Sequence, residues 1–284
     1  MDDAKRKRAL LLLLATAILW STGGLLIKSV DWNPLAIAGM RSAIAGVVIL
    51  LYLRRPHFSW STAQIGGAIT YAATVILFVA ATKLTTAANA ILLQYTGPIW
   101  VAIFGKSFLG EKTTRVDWVM IGAVIVGMAL FFLDKLSSGG LLGNIVAIGS
   151  GVAFGWFILF MRKQKDDSTL ETPLLGNAIA AVIGIPFMFG PTPDLTGWTA
   201  LVTLGVLQLG LSYTLFAAAV KHASALDSIL VPTIEPLLNP IWVFFLLGER
   251  PGPWAMVGGA IVLAAVTARS VLMARGPKAV PLPD

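Results

Sequence analysis

Polar and ionisable side chains that stand inside long apolar runs are the ones placed to do chemistry, because such a group is costly in an apolar medium unless a partner or a task holds it there. Glu235 is the clearest case: it is the one charge in the run 230–242. At about 100° per residue, Ser228, Pro232, Glu235 and Asn239 fall on one helical stripe. Pro232, Pro236 and Pro240 recur at intervals of four, and each removes a backbone donor and frees a carbonyl upstream. A helix interrupted in this way is tolerated where neighbouring protein or a watery cavity satisfies the freed groups. Two readings of Glu235 follow. The carboxyl binds a substrate ammonium or exchanges a proton, or it is a neutral, hydrogen-bonded staple between helices.

A second class of candidate is aromatic or amide. Trp20, Tyr71, Tyr95, Trp100, Trp156 and Tyr213 lie deep in apolar runs, where they could line a site for a planar solute or simply pack against a neighbouring helix. Gln94, on the stripe Ala90, Gln94, Gly97 and Val101, and Gln208 are interior polar groups of the same kind. Arg41 could meet a carboxylate bidentately, pair with Asp31, or extend outward to water. Asn89 and Asp227 stand near span starts, where helix capping is the simplest role. The candidate substrate-binding set is therefore Trp20, Tyr71, Gln94, Tyr95, Trp156, Gln208, Tyr213, Glu235 and Asn239. No catalytic residue, metal ligand or cofactor is expected: there is no cysteine, and His57 and His222 are the only histidines.

The elements that must position these groups are membrane helices. Of 284 residues, 57% are hydrophobic and 12% charged, about half the charge of a soluble domain. Stretches 56–82, 84–105, 136–161, 172–193 and 195–220 carry no Asp, Glu, Lys or Arg, and each meets the length of roughly 20 residues that a bilayer core requires. Breaks at charge, Pro and Gly divide the chain into ten spans, at 9–28, 34–53, 63–82, 86–106, 116–133, 141–161, 173–190, 197–220, 225–247 and 254–273. With both termini cytoplasmic, sixteen of the 21 Lys and Arg fall on the cytoplasmic side and only Lys28, Lys83, Lys135 and Arg250 on the other, Arg41 lying within a span. That bias orients the bundle in an inner membrane of bacterial type. It also accounts for the net charge of +7 by topology, with lipid and a small-molecule substrate as partners and no nucleic acid. The basic start reads as an uncleaved first helix in preference to a secretory signal. Trp60, Trp118, Trp198 and Trp254, at span starts, read as interfacial anchors. The sequence sets no oligomeric state.

The chain repeats itself. An offset of 138 aligns Lys83 with Lys221, Ala87 with Ala225, Asn89 with Asp227, Pro98 with Pro236, and Gly110-Glu111 with Gly248-Glu249. A two-residue deletion then matches Trp118 with Trp254 and Gly122 with Gly258. The expected organisation is an all-α integral membrane protein of ten transmembrane helices in two five-helix repeats, 9–133 and 141–273. An odd number of crossings per repeat forces the second copy into the membrane upside down, so the repeats are inverted. Such architecture places a substrate near the midplane, at the repeat interface. Glu235 has no carboxylate counterpart in the first half, so the site is asymmetric.

Pro98-Ile99-Trp100 through Leu109-Gly110-Glu111-Lys112, repeated as Pro236 through Leu247-Gly248-Glu249-Arg250, resembles the duplicated unit of the drug/metabolite transporter superfamily, EamA type. Trp20-Ser21-Thr22 and Arg41 fit the same pattern, and the similarity runs over nearly the whole chain. The second half lacks an arginine at the place of Arg41. The resemblance implies ten spans, inverted repeats and export of amino acids or related small metabolites, the YddG-type aromatic amino acid exporters being the most similar members. The expectation is a carrier working by alternating access. The competing classes are a membrane-embedded lipid-modifying enzyme, against which no catalytic pair stands at the interface, and a passive channel, which would favour polar rings from face to face.

Overall fold

A computed structural model of the chain describes residues 3–85, 87–131, 133, 140–167, 169–235, 237–238 and 253–275. Among them every regular element is helical. The first half comprises α1 (Asp3–Trp20), α2 (Gly23–Ser29), α3 (Pro34–Leu53), α4 (Thr62–Leu84), α5 (Ala87–Gln94), α6 (Gly97–Leu109) and α7 (Arg115–Phe131). The second comprises α8 (Leu141–Lys163), α9 (Glu171–Gly184), α10 (Leu195–Thr203), a π-helical stretch (Leu204–Leu211), α11 (Ser212–Val220), α12 (Ala225–Leu230), a 3₁₀ turn (Val231–Ile234) and α13 (Pro253–Arg275).

Local chemistry sets the boundaries. The Asn33 side chain accepts from the Leu35 amide at 2.9 Å ahead of Pro34, which needs no donor at a first helical position. Ser61 caps α4, Gln64 N donating to Ser61 Oγ at 3.1 Å, and the Gln64 side chain reaches back to accept from Trp60 N, one residue before the cap, at 2.9 Å. Gly110 closes α6 at a φ of 73°, the left-handed cap that glycine adopts without strain.

Among the described residues, Ala4–Ser29, Pro34–Leu53, Thr62–Leu84, Leu141–Lys163 and Leu195–Val220 are long and apolar enough to cross a membrane, and Glu171–Phe187, Ala225–Ile234 and Met256–Arg269 are shorter apolar helices. Several expected spans are therefore interrupted. The expected span 86–106 breaks between α5 and α6 at Tyr95 and Thr96, because Pro98 has no N–H to give to the Gln94 carbonyl. The expected span 225–247 turns 3₁₀ at Pro232 for the same reason, and beyond residue 238 it lies outside the described residues. Between α1 and α2, Ser21 and Thr22 hydroxyls turn back to the carbonyls of Ile18 and Leu19 at 2.6 and 2.9 Å, a competition with the helical ladder that favours a break.

Helix α4 lies along α8, and α1 along α11. Helix α3 crosses α9 and packs on the π-helical stretch, α9 packs on α4, and α7 pairs with α13. Small residues permit the closest of these approaches. A Cβ on Gly39 would stand 2.7 Å from the Gly184 Cα, and one on Gly127 would stand 2.9 Å from the Gly258 carbonyl oxygen. Gly151 and Gly155 likewise lie against the backbone of the α5–α6 break, the first 2.7 Å from the Gln94 carbonyl oxygen by the same construction.

Candidate functional site

The interruptions in α1–α2, α5–α6 and the α12 region meet in the middle of the bundle around a cavity of about 40 Å³. Its walls are Trp20, Arg41, Thr74, Val75, Phe78, Gln94, Tyr95, Phe154, Gln208, Leu209, Tyr213 and Glu235. Six of the nine candidate substrate-binding residues converge here, Trp20, Gln94, Tyr95, Gln208, Tyr213 and Glu235, and Arg41 joins them. They come from both halves of the chain, and each is held by a specific partner. Tyr95 Oη stands 3.0 Å from Glu235 Oε2 and 3.2 Å from the Pro232 carbonyl oxygen. Pro232 O is the carbonyl that Pro236, four residues on, cannot serve as a helical donor. Gln94 Nε2 donates to Ser150 Oγ at 2.8 Å, and that hydroxyl donates to the Thr74 carbonyl at 3.1 Å. Trp20 Nε1 donates to Ser212 Oγ at 2.8 Å, while its ring packs on Tyr213 and Phe154 with centroids 5.1 and 5.8 Å away.

Two of the candidates are not brought to the cavity. Tyr71 is one layer behind it, its ring edge-on to Tyr213 at 4.7 Å and its hydroxyl donating to Asn177 Oδ1 at 3.1 Å. Trp156 turns to another helix pair and packs with Phe104 and Phe108 at 4.9 and 5.5 Å. Helical periodicity names the residues of a stripe, and which neighbour that stripe meets is decided by packing. Asn239 lies outside the described residues. Phe154, Thr74, Val75, Phe78 and Leu209 complete the lining without having been singled out, since one Phe among 14 or one Val in an apolar helix carries no sequence signal of its own.

Arg41 neither pairs with Asp31 nor extends to water. It is buried, with Nη1 donating to Gln208 Oε1 at 3.2 Å and Nη2 to the Val75 carbonyl at 3.1 Å. Capping is also corrected for Asp227. Ser224 caps α12, accepting from the Asp227 amide at 3.0 Å, whereas the Asp227 carboxylate is paired with Arg269 and stands 3.6 Å from Arg6. Asn89 Nδ2 donates to Asn144 Oδ1 at 3.0 Å, inside α5.

Contacts between the halves lie at both ends of the bundle, above and below the cavity. At one end Arg269 bridges Asp117, at 2.9 Å, and Asp227, and Arg162 Nε donates to Glu111 Oε1 at 2.7 Å while Glu111 Oε2 accepts the Ala225 amide at 3.0 Å. At the other, Asn144 accepts from Thr85 and Asn89, each at 3.0 Å. Within the first half, at the same end, Lys83 donates to the Val30 carbonyl at 2.6 Å and Lys28 to the Thr85 carbonyl at 3.1 Å. Drug-sized ligands occupy pockets of roughly 300–1,000 Å³, so the arrangement is a closed one, and a solute enters only if an end opens.

Comparison with known proteins places the chain in a family. The profile of the EamA-like transporter family matches the chain twice, over residues 7–133 and 141–270. The chain belongs to the EamA-like transporter family. Members of that family are multi-pass membrane proteins. Among curated relatives, the pseudopaline exporter CntI of Pseudomonas aeruginosa is 25% identical, over 93% of this chain and 96% of its own length. An uncharacterised transporter of Archaeoglobus fulgidus is 24% identical over 88% and 92%. The threonine/homoserine exporter RhtA of Escherichia coli K12 is 26% identical over 62% and 60%. A crystal structure superposes with a TM-score of 0.77 over 95% of this chain and 99% of its own, and its 19% identity makes that a likeness of fold. The named relatives of this EamA-like chain are transporters and exporters, which points away from an enzymatic role.

Proposed function

We propose that this EamA-like protein is an inner-membrane carrier that exports amino acids or related small metabolites by alternating access, its two five-helix repeats, 9–133 and 141–273, lying inverted in the bilayer as ten spans with both termini cytoplasmic. The observation that carries the reading is the central cavity, built from both halves and closed at each end by contacts between them. A carrier passes through such a state between facing one side and facing the other.

Three further observations support it. The two family matches fall on the two proposed repeats. Exchanging the halves, with α3 for α9, α7 for α13, α4 for α10 through α11, and α8 for α1 and α2, maps several of the main contacts onto one another. The pair α4 and α8 then becomes α11 and α1, and α3 on the π-helical stretch becomes α9 on α4. The Lys and Arg bias puts the charged end, with Arg162, Arg269 and Glu111, on the cytoplasmic side.

For cargo, the relatives' names, threonine/homoserine and pseudopaline exporters, favour small amino-acid-like metabolites. The aromatic wall of Trp20, Tyr95, Phe154 and Tyr213 favours an aromatic side chain, as in the YddG-type exporters. Purified protein in liposomes preloaded with unlabelled amino acid tests the proposal. Saturable counterflow of labelled phenylalanine, tryptophan or threonine supports it; modification of lipid without solute flux rejects it in favour of an enzyme, and non-saturating flux in favour of a channel.

A further inference from the structure

We infer that Arg41 is the receptor for a carboxylate on the transported solute, and that the Gln208 amide oxygen occupies that receptor when no solute is bound; the inference rests on the carrier reading above.

The arginines of the bundle interior differ in what they face. Arg6, Arg162 and Arg269 each stand within 3.6 Å of an Asp or Glu oxygen, as charges removed from water generally do. Arg41 is 1% exposed, yet among the described residues no carboxylate lies within ion-pair distance of it. Its guanidinium has five N–H donors in a planar fork. Two of these have acceptors, the Gln208 and Val75 oxygens, both neutral, and Nε has none among the described residues. The bond to Gln208, at 3.2 Å, is at the long end for N–H···O, whereas a guanidinium to a carboxylate closes to about 2.7–2.9 Å and does so through two parallel bonds. Among the described residues, the buried arginine without an anion is also the one that lines the central cavity.

Gln208 is placed to act as a removable ligand. It lies in the π-helical stretch Leu204–Leu211, a geometry that concentrates at functional sites. Its amide sits over Gly23, where a Cβ would stand 3.0 Å from Nε2, so the missing side chain after the α1–α2 break leaves it room to reach Arg41. Rotation of one flexible amide frees the guanidinium and enlarges a space that at about 40 Å³ is too small for a solute. Glu235, held by Tyr95 across the same cavity, supplies the opposite charge. The solute is thereby oriented with its carboxylate toward α3 and any ammonium toward the α12 end.

The test is competition in counterflow, with L-phenylalanine and L-threonine each compared with its carboxamide, which keeps the ammonium and side chain and lacks the negative charge. The wild type is expected to prefer the acid by about 10- to 100-fold, the worth of charge-assisted hydrogen bonds. Arg41→Gln should bring acid and amide within about 2-fold of each other by weakening the acid alone. Gln208→Glu, nearly equal in size, should hold Arg41 in a permanent internal pair and weaken the acid about 10-fold or more, while Gln208→Ala binds it at least as well as the wild type. If Arg41→Gln keeps the preference for the acid, or Gln208→Glu binds it like the wild type, the inference is overturned and the carrier reading stands. Should Arg41→Gln fail to fold, Gln208→Glu and Gln208→Ala decide between the outcomes. If the wild type moves none of the four probes, the amino-acid carrier reading falls, and the inference with it.

Discussion

Replacing Arg269 by Gln should unlock the charged end of the bundle. The guanidinium joins Asp117 on α7 to Asp227 on α12, and the three side chains are 5%, 2% and 4% exposed. Removing one partner of a buried ion pair costs about 3–5 kcal/mol, most of it the penalty for the charge left behind. Asp117 keeps the Thr114 amide and hydroxyl, both at 2.8 Å, and Asp227 keeps Arg6 at 3.6 Å, so the lower figure of about 3 kcal/mol applies. At about 1.4 kcal/mol per tenfold, the equilibrium between the closed end and an open one shifts by roughly 100-fold. The chain has no cysteine, so a single Ser228→Cys reports on this directly: Ser228 follows Asp227 and is fully buried. Its labelling rate by a membrane-impermeant maleimide should rise by about two orders of magnitude in the Arg269→Gln background. Adding Asp117→Asn removes the carboxylate left without a cation, while Asp227 still faces Arg6, and should return much of the lost thermal stability in detergent. Equal labelling rates with and without Arg269, or stability losses that simply add across the two changes, would refute the idea that this cluster holds the end shut.

Glu235→Gln keeps the shape and the bond with Tyr95 while removing the capacity to ionise; counterflow should slow by at least tenfold and lose its response to an imposed pH gradient, and transport unchanged in both respects takes Glu235 out of the mechanism. Trp20→Phe deletes the hydrogen bond to Ser212 and should cost about 1 kcal/mol of stability, seen as a lower unfolding temperature that Ser212→Ala in the same background does not lower further. Gly184→Ala places a Cβ 2.6 Å from the Gly39 Cα and should destabilise by about 1–3 kcal/mol. Gly190→Ala, with nothing within 4 Å, should be silent in the same melting assay.

Much of this arrangement was legible in the sequence because it is written in local terms. Pro98 and Pro232 announce interrupted helices, and the depth of Trp20, Gln94, Tyr95, Gln208, Tyr213 and Glu235 in apolar runs marks them as interior. What was hidden depends on long-range pairing. Nothing near Asp227 in sequence shows that Arg269 and Arg6 converge on it, so a first-turn carboxylate looked like a cap. Tyr71 and Trp156 are as deep as Tyr95, and only the rotation of α4 and α8 about their axes turns them to Asn177 and to Phe104 instead of the cavity. The Arg41–Gln208 contact comes from a π-helical stretch, which hydrophobic periodicity does not encode, and has the space over Gly23 beside it.

The most direct measurement is topological. Leu84, at the end of α4, and His222, just past α11, are counterparts under the offset of 138. Each is changed singly to cysteine and probed with an impermeant thiol reagent in sealed vesicles of known orientation. Inverted halves require the two to label from opposite faces. Labelling of both from one face would show parallel halves and would remove the basis for a carrier that opens alternately to the two sides.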